Sequence, residues 1–306
     1  MNLKQLTLAA GAVAMLGLAP VTADAGPLTD VDLLDGSGGT LASNVREMDW
    51  TSSSAGLAIG IGPFGAPLAV GQTFDFVYQS ILTGATDPGG GAVSFASTLN
   101  SSGTGGALAG TEYQFTIVAR FQEVVTAVLG GGTSAIFGLG GAGGTISIFY
   151  DEVGLGGGGT EASIAAGTGY DDGTEVARFS LVSQTSTFTA TTGSSGVGVA
   201  TLDAQVQAAL DFVLDEFILG LIDTVFDLEF FGTLQFPPTP PAANTTDFHV
   251  GGSAFYPDTA VAANDILFQV DGNNTFSIVP EPVNLLLFGI GLLVLGVFSR
   301  KRLTAV

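Results

Sequence analysis

The sequence contains no cysteine, one histidine and one tryptophan, and only seven lysines and arginines in 306 residues. Without cysteine there is no disulfide framework, no thiolate nucleophile and no thiolate metal site, so an exported form would be held by its core alone. A single histidine, His249, rules out multi-histidine metal sites and leaves one candidate for a Ser-His-Asp arrangement. No Gly-x-Ser-x-Gly surrounds a serine, so no nucleophile elbow is present, and His249 reads as an ordinary strand or loop residue. Basic charge is scarcest in the middle of the chain. Lys4, Arg300, Lys301 and Arg302 lie in the two apolar ends, which leaves Arg46, Arg120 and Arg178 between Gly26 and Val279. All acidic residues but Asp24 and Glu281 fall in that stretch, giving it 26 carboxylates and a net charge of −23. Nucleic acid and anionic headgroups are thereby excluded as partners, since both need Lys or Arg to neutralise phosphate. Cations, neutral glycans and basic proteins remain.

Glycine is abundant, at 46 residues, and the two ends are apolar. At the start, Lys4, an apolar run from Leu6 to Ala19, the helix breaker Pro20 and the small-x-small triplet Ala23-Asp24-Ala25 spell a signal peptide over residues 1–25, cut after Ala25 by signal peptidase. At the other end a transmembrane segment is expected over 283–299. Val283 to Phe298 carries one polar residue, Asn284, and its sixteen residues reach about 24 Å as a helix against a hydrocarbon core of about 30 Å. The basic triplet beyond it keeps the C-terminus cytoplasmic and the large central part outside. Pro280 and Pro282 hold the chain extended before the span, a shape that a processing enzyme's cleft accepts.

Pro280-Glu281-Pro282, the short glycine-containing span and Arg300-Lys301-Arg302 together resemble the PEP-CTERM sorting signal of Gram-negative bacteria, here over residues 279–303. The resemblance implies recognition by an inner-membrane exosortase, cleavage near the Pro-Glu-Pro, a transient membrane tether, and delivery to the cell surface or extracellular matrix. It also associates the protein with exopolysaccharide, biofilm and floc formation. An uncut tail anchor is the alternative.

Between the ends, residues 26–278 read as one exported acidic β-rich domain. Thr73 to Gln79, Glu112 to Phe121, Thr145 to Asp151, Glu175 to Thr192 and Asp265 to Val279 are β-branched and aromatic with a period near two. DPGGG, SSGTGGALAG, the stretch Gly130 to Gly144, GLGGGG and TTGSSG separate them as turns and loops. The expectation is a mainly β fold, an antiparallel β-sandwich-like domain with glycine-rich loops. One long helix is expected too, over about 201–227. There Leu202, Val206, Leu210, Val213, Phe217, Leu221 and Val225 recur at three or four residues, opposite Asp203, Asp211, Asp215 and Asp223, with Thr201 as cap.

Motifs of chemistry are sparse. Gly-x-Gly-x-x-Gly occurs at Gly60 to Gly65, Gly138 to Gly143 and Gly154 to Gly159, but none precedes a convincing helix, so no dinucleotide site is expected. Asp30, Asp32 and Asp35-Gly36, and again Asp171-Asp172-Gly173-Thr174-Glu175, could offer oxygens to weakly bound calcium, though neither matches a helix-flanked calcium loop. Otherwise no cofactor and no catalytic residue is expected. Thr185, Thr187, Thr189 and Thr191 line one strand face, a single row where ice recognition needs several. The DVDLLDGSGG opening, FYDE, YDDGTEVA and DILFQVDGNNTF resemble flocculation-associated PEP-CTERM proteins, which implies a noncatalytic floc or matrix role and assigns no functional residue. A secreted carbohydrate-binding module, marked by aromatics aligned on an exposed face, and a carboxylate-based hydrolase, marked by two acids in a cleft, are the alternatives.

Overall fold

Side chains that alternate inward and outward along extended runs must bury one row, and in the computed structural model they do so around a closed ring of strands. The structure describes residues 31–62, 66–96, 112–153, 162, 169–192, 195–205, 211–220, 224–231, 247–248, 259–260 and 264–278, all within the unit Pro27–Ile278. The architecture is mainly β and antiparallel, with no α-helix among the described residues.

Eight strands form the ring: β3 (Glu47–Ile59), β4 (Thr73–Thr86), β5 (Glu112–Leu129), β6 (Ser134–Val153), β7 (Thr174–Thr192), β8 (Ser195–Gln205), β11 (Thr224–Phe231) and β14 (Ile266–Ile278). Each pairs antiparallel with the next in that order, and β14 returns to β3, so these strands leave no open sheet edge. A smaller sheet of β1 (Val31–Leu34), β2 (Thr40–Val45) and β10 (Ile218–Leu219) contributes Val31, Leu33, Leu41, Ala42, Val45 and Ile218 to the same core. Around it, Tyr150 stacks on Tyr113 at 5.6 Å, meets Phe217 at 4.8 Å, and donates its hydroxyl hydrogen to the Asp35 carbonyl at 3.2 Å. Gly36 is required there, because its φ is +69° and a Cβ would stand 2.6 Å from the Phe217 ring. Short β9 (Phe212–Val213) pairs with β7, and β12 (Asp247–Phe248) pairs with β13 (Thr259–Ala260).

The ring's interior is apolar. On β5 the inward row is Phe115, Ile117, Ala119 and Phe121; Trp50, Tyr78, Ile146, Ile148, Phe179, Leu202, Leu228 and Phe276 face it from other strands, each no more than 3 % exposed. A second, smaller core lies on the opposite face of the sheet, where Leu57, Val77, Ile81, Val118 and Phe149 are covered by Ala162 and Tyr170. Two hydrogen bonds fix that cover: Ala162 N–H donates to Gln114 Oε1 at 3.0 Å, and Thr116 Oγ1 donates to the Tyr170 carbonyl at 2.6 Å.

Two expectations fail locally. The described residues of 201–227 form no helix: β8 runs through 201–205, Phe212–Val213 and Ile218–Leu219 pair with different sheets, and β11 begins at Thr224. Leu202 and Ala204 are both fully buried, two residues apart, which is strand spacing. Pairing with β7 on one side and β11 on the other supplies the backbone bonds that a local helix would have supplied. The glycine-rich stretch Gly130 to Gly144 is likewise mostly strand, since β6 starts at Ser134 after a 3-10 turn at Gly130–Gly132. There the absence of side chains serves close packing: a Cβ on Gly144 would press into Phe121 of β5.

Candidate functional site

The sorting-signal residues Pro280, Glu281, Pro282, Arg300, Lys301 and Arg302, the cleavage triplet at Ala23 and Ala25, the segment 283–299 and His249 lie outside the described residues. No helix among the described residues is long and apolar enough to cross a membrane.

Within the domain, the three arginines are committed to local structure. Arg120 of β5 pairs with Asp75 of β4 at 2.9 Å, and Arg178 pairs with Glu175 on β7 while lying 5.5 Å from the Phe212 ring centre. Arg46, at the β2–β3 junction, donates to the Pro88 carbonyl at 3.4 Å. Carboxylates outnumber them on the sheet. Asp49 of β3 is held above the usual carboxylate range by burial and then by the charges of Asp271 and Glu47, and burial also raises Asp271. Glu47 itself accepts hydrogen bonds from Asn273 Nδ2 at 2.9 Å and Thr86 Oγ1 at 3.1 Å.

At the first calcium candidate, Asp35 closes a tight turn. Asp35 Oδ1 accepts from Ser37 N–H at 2.9 Å, Ser37 Oγ at 2.8 Å and Gly39 N–H at 2.8 Å. A slight burial penalty pushes the Asp35 carboxyl up, and these donors more than offset it, leaving it below its ordinary value. DPGGG repeats the device, with Asp87 Oδ1 accepting from Gly89 and Gly91 N–H at 2.8 Å each. Both aspartates therefore close five-residue turns. Asp32 Oδ1 accepts from Asn44 N–H at 3.0 Å, and Asp30 is outside the described residues.

At the second candidate, Asp151 and Asp171 are buried next to Asp172. Burial, followed by the charge of Asp172, pushes the Asp151 carboxyl up to about 6. Among the described residues no three His, Asp or Glu side chains converge as a metal cage. Thr185, Thr187 and Thr189 are exposed on β7, as a strand reading requires; their register partners are Gly138, Ile136 and Ser134 on β6, and Thr201, Val199 and Val197 on β8. The row is thus not repeated on its neighbours. Gly138 to Gly143 lies within β6.

A groove of about 460 Å³ runs beside β2, lined by Thr40 to Asn44, Asp87 and Val93 to Ala96. Asp87 is its one carboxylate, and Phe95 its one aromatic ring. The large apolar side chains exposed among the described residues are Val70, Leu129, Val182 and Leu219, none of them aromatic.

One cluster was not singled out from the sequence. Glu123 of β5 is 5 % exposed, and its Oε1 accepts from Ser186 Oγ at 2.6 Å and from Gln184 Nε2 at 2.5 Å, both on β7. A signal was available, because Glu123 shares strand parity with the inward Phe121 and Val125. Burial pushes its carboxyl up to about 7, against the lowering effect of the Ser186 and Gln184 hydrogen bonds. No protein-family model, curated protein or solved structure matches the chain.

Proposed function

We propose that this is an exported, exosortase-processed surface or matrix protein that acts in flocculation, biofilm or exopolysaccharide-associated assembly. The observation that carries the reading is charge: a β domain with 26 carboxylates on residues 26 to 279, no lysine there, and all three arginines engaged locally. Such a surface stays dispersed in water, repels phosphate polymers and binds divalent counterions loosely along its length, which lets it bridge to acidic or neutral polysaccharide. The tail supplies the address, with Pro280-Glu281-Pro282 as the exosortase recognition element and Arg300-Lys301-Arg302 as the cytoplasmic stop. Signal peptidase, exosortase and matrix polymers are then the partners, and the membrane tether is transient.

The test is deletion of the gene in its host, followed by complementation with the full chain or with a form lacking residues 280–306. Deletion should impair floc formation, the full chain should restore it, and the truncated form should be released to the medium without restoring it. Unchanged flocculation after deletion would refute the matrix role, and full rescue by the truncated form would refute the role of the tail.

A further inference from the structure

The Glu123 cluster sits behind a break in the ring's ladders. In the β5–β6 ladder Phe121 pairs with Gly144 and Glu123 pairs with Leu139, so residues 140–143 of β6 stand opposite Gln122 alone. In the β6–β7 ladder Gly138 pairs with Thr185 and Thr145 with Ser180, so 139–144 on β6 face only 181–184 on β7. The stretch Gly140 to Gly143 therefore leaves the ladder on both sides. A side-chain bond reaches it, from Ala142 N–H to Gln122 Oε1 at 3.3 Å.

Behind this break, every partner of Glu123 is neutral. Ser186 and Gln184 donate to the same oxygen, Gln184 Nε2 also lies 2.8 Å from Ser186 Oγ, and Gln184 Oε1 is buried with no hydrogen-bond partner. On β4 the residue in register with Glu123 is Phe74, itself edge-on to Phe137 of β6 at 5.3 Å. The ionisable groups of the surrounding strands are engaged elsewhere or lie apart in register. On β4 and β5 the charged groups besides Glu123 are Asp75 and Arg120, paired with each other, and Glu112 at the start of β5, eleven residues away; on β7 they are Glu175 and Arg178, also paired. β6 has none from Ser134 to Phe149, and β8 has Asp203, in register with Ser183. The described residues contain no lysine or histidine to neutralise a buried carboxylate.

We propose that Glu123, Gln184 and Ser186 form a proton-controlled latch on the barrel wall, closed across Gly140 to Gly143 when Glu123 is protonated and loosened when it ionises. A protonated carboxyl supplies the hydrogen that Gln184 Oε1 lacks, so acid and amide join through two hydrogen bonds in a dry interior. Ionisation removes that hydrogen and leaves a desolvated charge without a cation, which water entering through the break in the ladder would solvate. The sign follows from burial. The folded carboxyl keeps its proton to about pH 7 while the unfolded one loses it near 4.5, so stability falls as pH rises through that window.

The latch is tested by hydrogen exchange on the full chain in detergent micelles, with protection factors compared at pH 5.5 and 8.5. In residues 134–145 protection should fall at least tenfold more than in Val77 to Leu82 of β4, and Glu123→Gln should abolish the difference. Equal changes in the two segments, or an undiminished difference in Glu123→Gln, would overturn the proposal. If Glu123→Gln does not fold, Ser186→Ala decides: it removes a donor to the ionised form, so the opening midpoint should move to higher pH, and an unmoved midpoint counts against the latch.

Discussion

Trp50 shows how far single side chains are specified. Its indole N–H donates to Asn274 Oδ1 at 2.7 Å across the β3–β14 pair, with both residues fully buried. Asn274→Ala removes the acceptor and leaves the donor dry, at a cost of about 1–3 kcal/mol. Since Trp50 is the only tryptophan, its emission during urea unfolding reads the loss directly, and an unchanged midpoint would show the bond to be dispensable. Asp151 makes the complementary case. Its carboxyl titrates at about 6 in the fold, above its ordinary value of 3.8, so the folded state holds the extra proton between those values and loses stability as pH rises through them. Asp151→Asn should therefore raise the thermal midpoint at pH 7.5 and leave it unaltered near pH 3. A lower midpoint at pH 7.5 would mean that the ionised group has a partner worth more than its burial costs.

At the scale of elements, legibility followed the period. The runs starting at Thr73, Glu112, Thr145 and Glu175 lie within β4, β5, β6 and β7, and β14 occupies Ile266–Ile278 of the run Asp265 to Val279, because their alternation is enforced by one buried face. Most extend further than their alternation, since β5 and β6 pair with each other well past the sequence-defined runs. β3 was hidden because Thr51-Ser52-Ser53-Ser54 dilutes its apolar row, and the ladder there is irregular between Trp50 and Ala55. The segment 201–227 misled for a different reason. Its described apolar residues serve three separate pairings, and β9 is joined to β10 by a turn in which Phe217 and Ile218 N–H both reach the Leu214 carbonyl at 3.0 Å, a spacing that imitates a helix. Ala204 separates the two readings: on a helix it falls on the polar side with Asp211 and Asp215, whereas in β8 it is fully buried. Ala204→Asp should thus abolish the cooperative unfolding transition by burying a carboxylate in the ring, and a variant that unfolds like the parent would restore the helix. Of the candidate sites, the aspartate turns were visible as DGSGG and DPGGG. The Glu123 cluster was not, because Gln184 and Ser186 come to it across β6, a distance no local pattern encodes.

For the whole molecule, ring closure is what sequence could not give, since the β6–β7 and β14–β3 pairings are set by how eight strands share one interior. That interior also fixes what kind of barrel this is. Aromatic and aliphatic side chains fill it, where a pore-type barrel has a polar lumen, while the Asp75–Arg120 pair and the threonine row face outward beside the apolar patch covered by Ala162 and Tyr170. With the ring's outer side strongly acidic, folding works against its own charge: the compact state holds carboxylates closer together than the unfolded chain does. Salt should therefore stabilise. Raising NaCl from 10 to 500 mM shortens the screening length from about 30 Å to about 4 Å, and should lift the thermal midpoint at pH 7.5 by several degrees. Calcium or magnesium at matched ionic strength separates two sources of the effect. An equal rise means diffuse screening of the acidic surface; a larger one means divalent ions bridging neighbouring carboxylates, the same chemistry by which the protein would join matrix polymers. A midpoint that falls with added NaCl would show that the few ion pairs, screened in their turn, outweigh the repulsion, and that the excess of carboxylates is no strain on the fold.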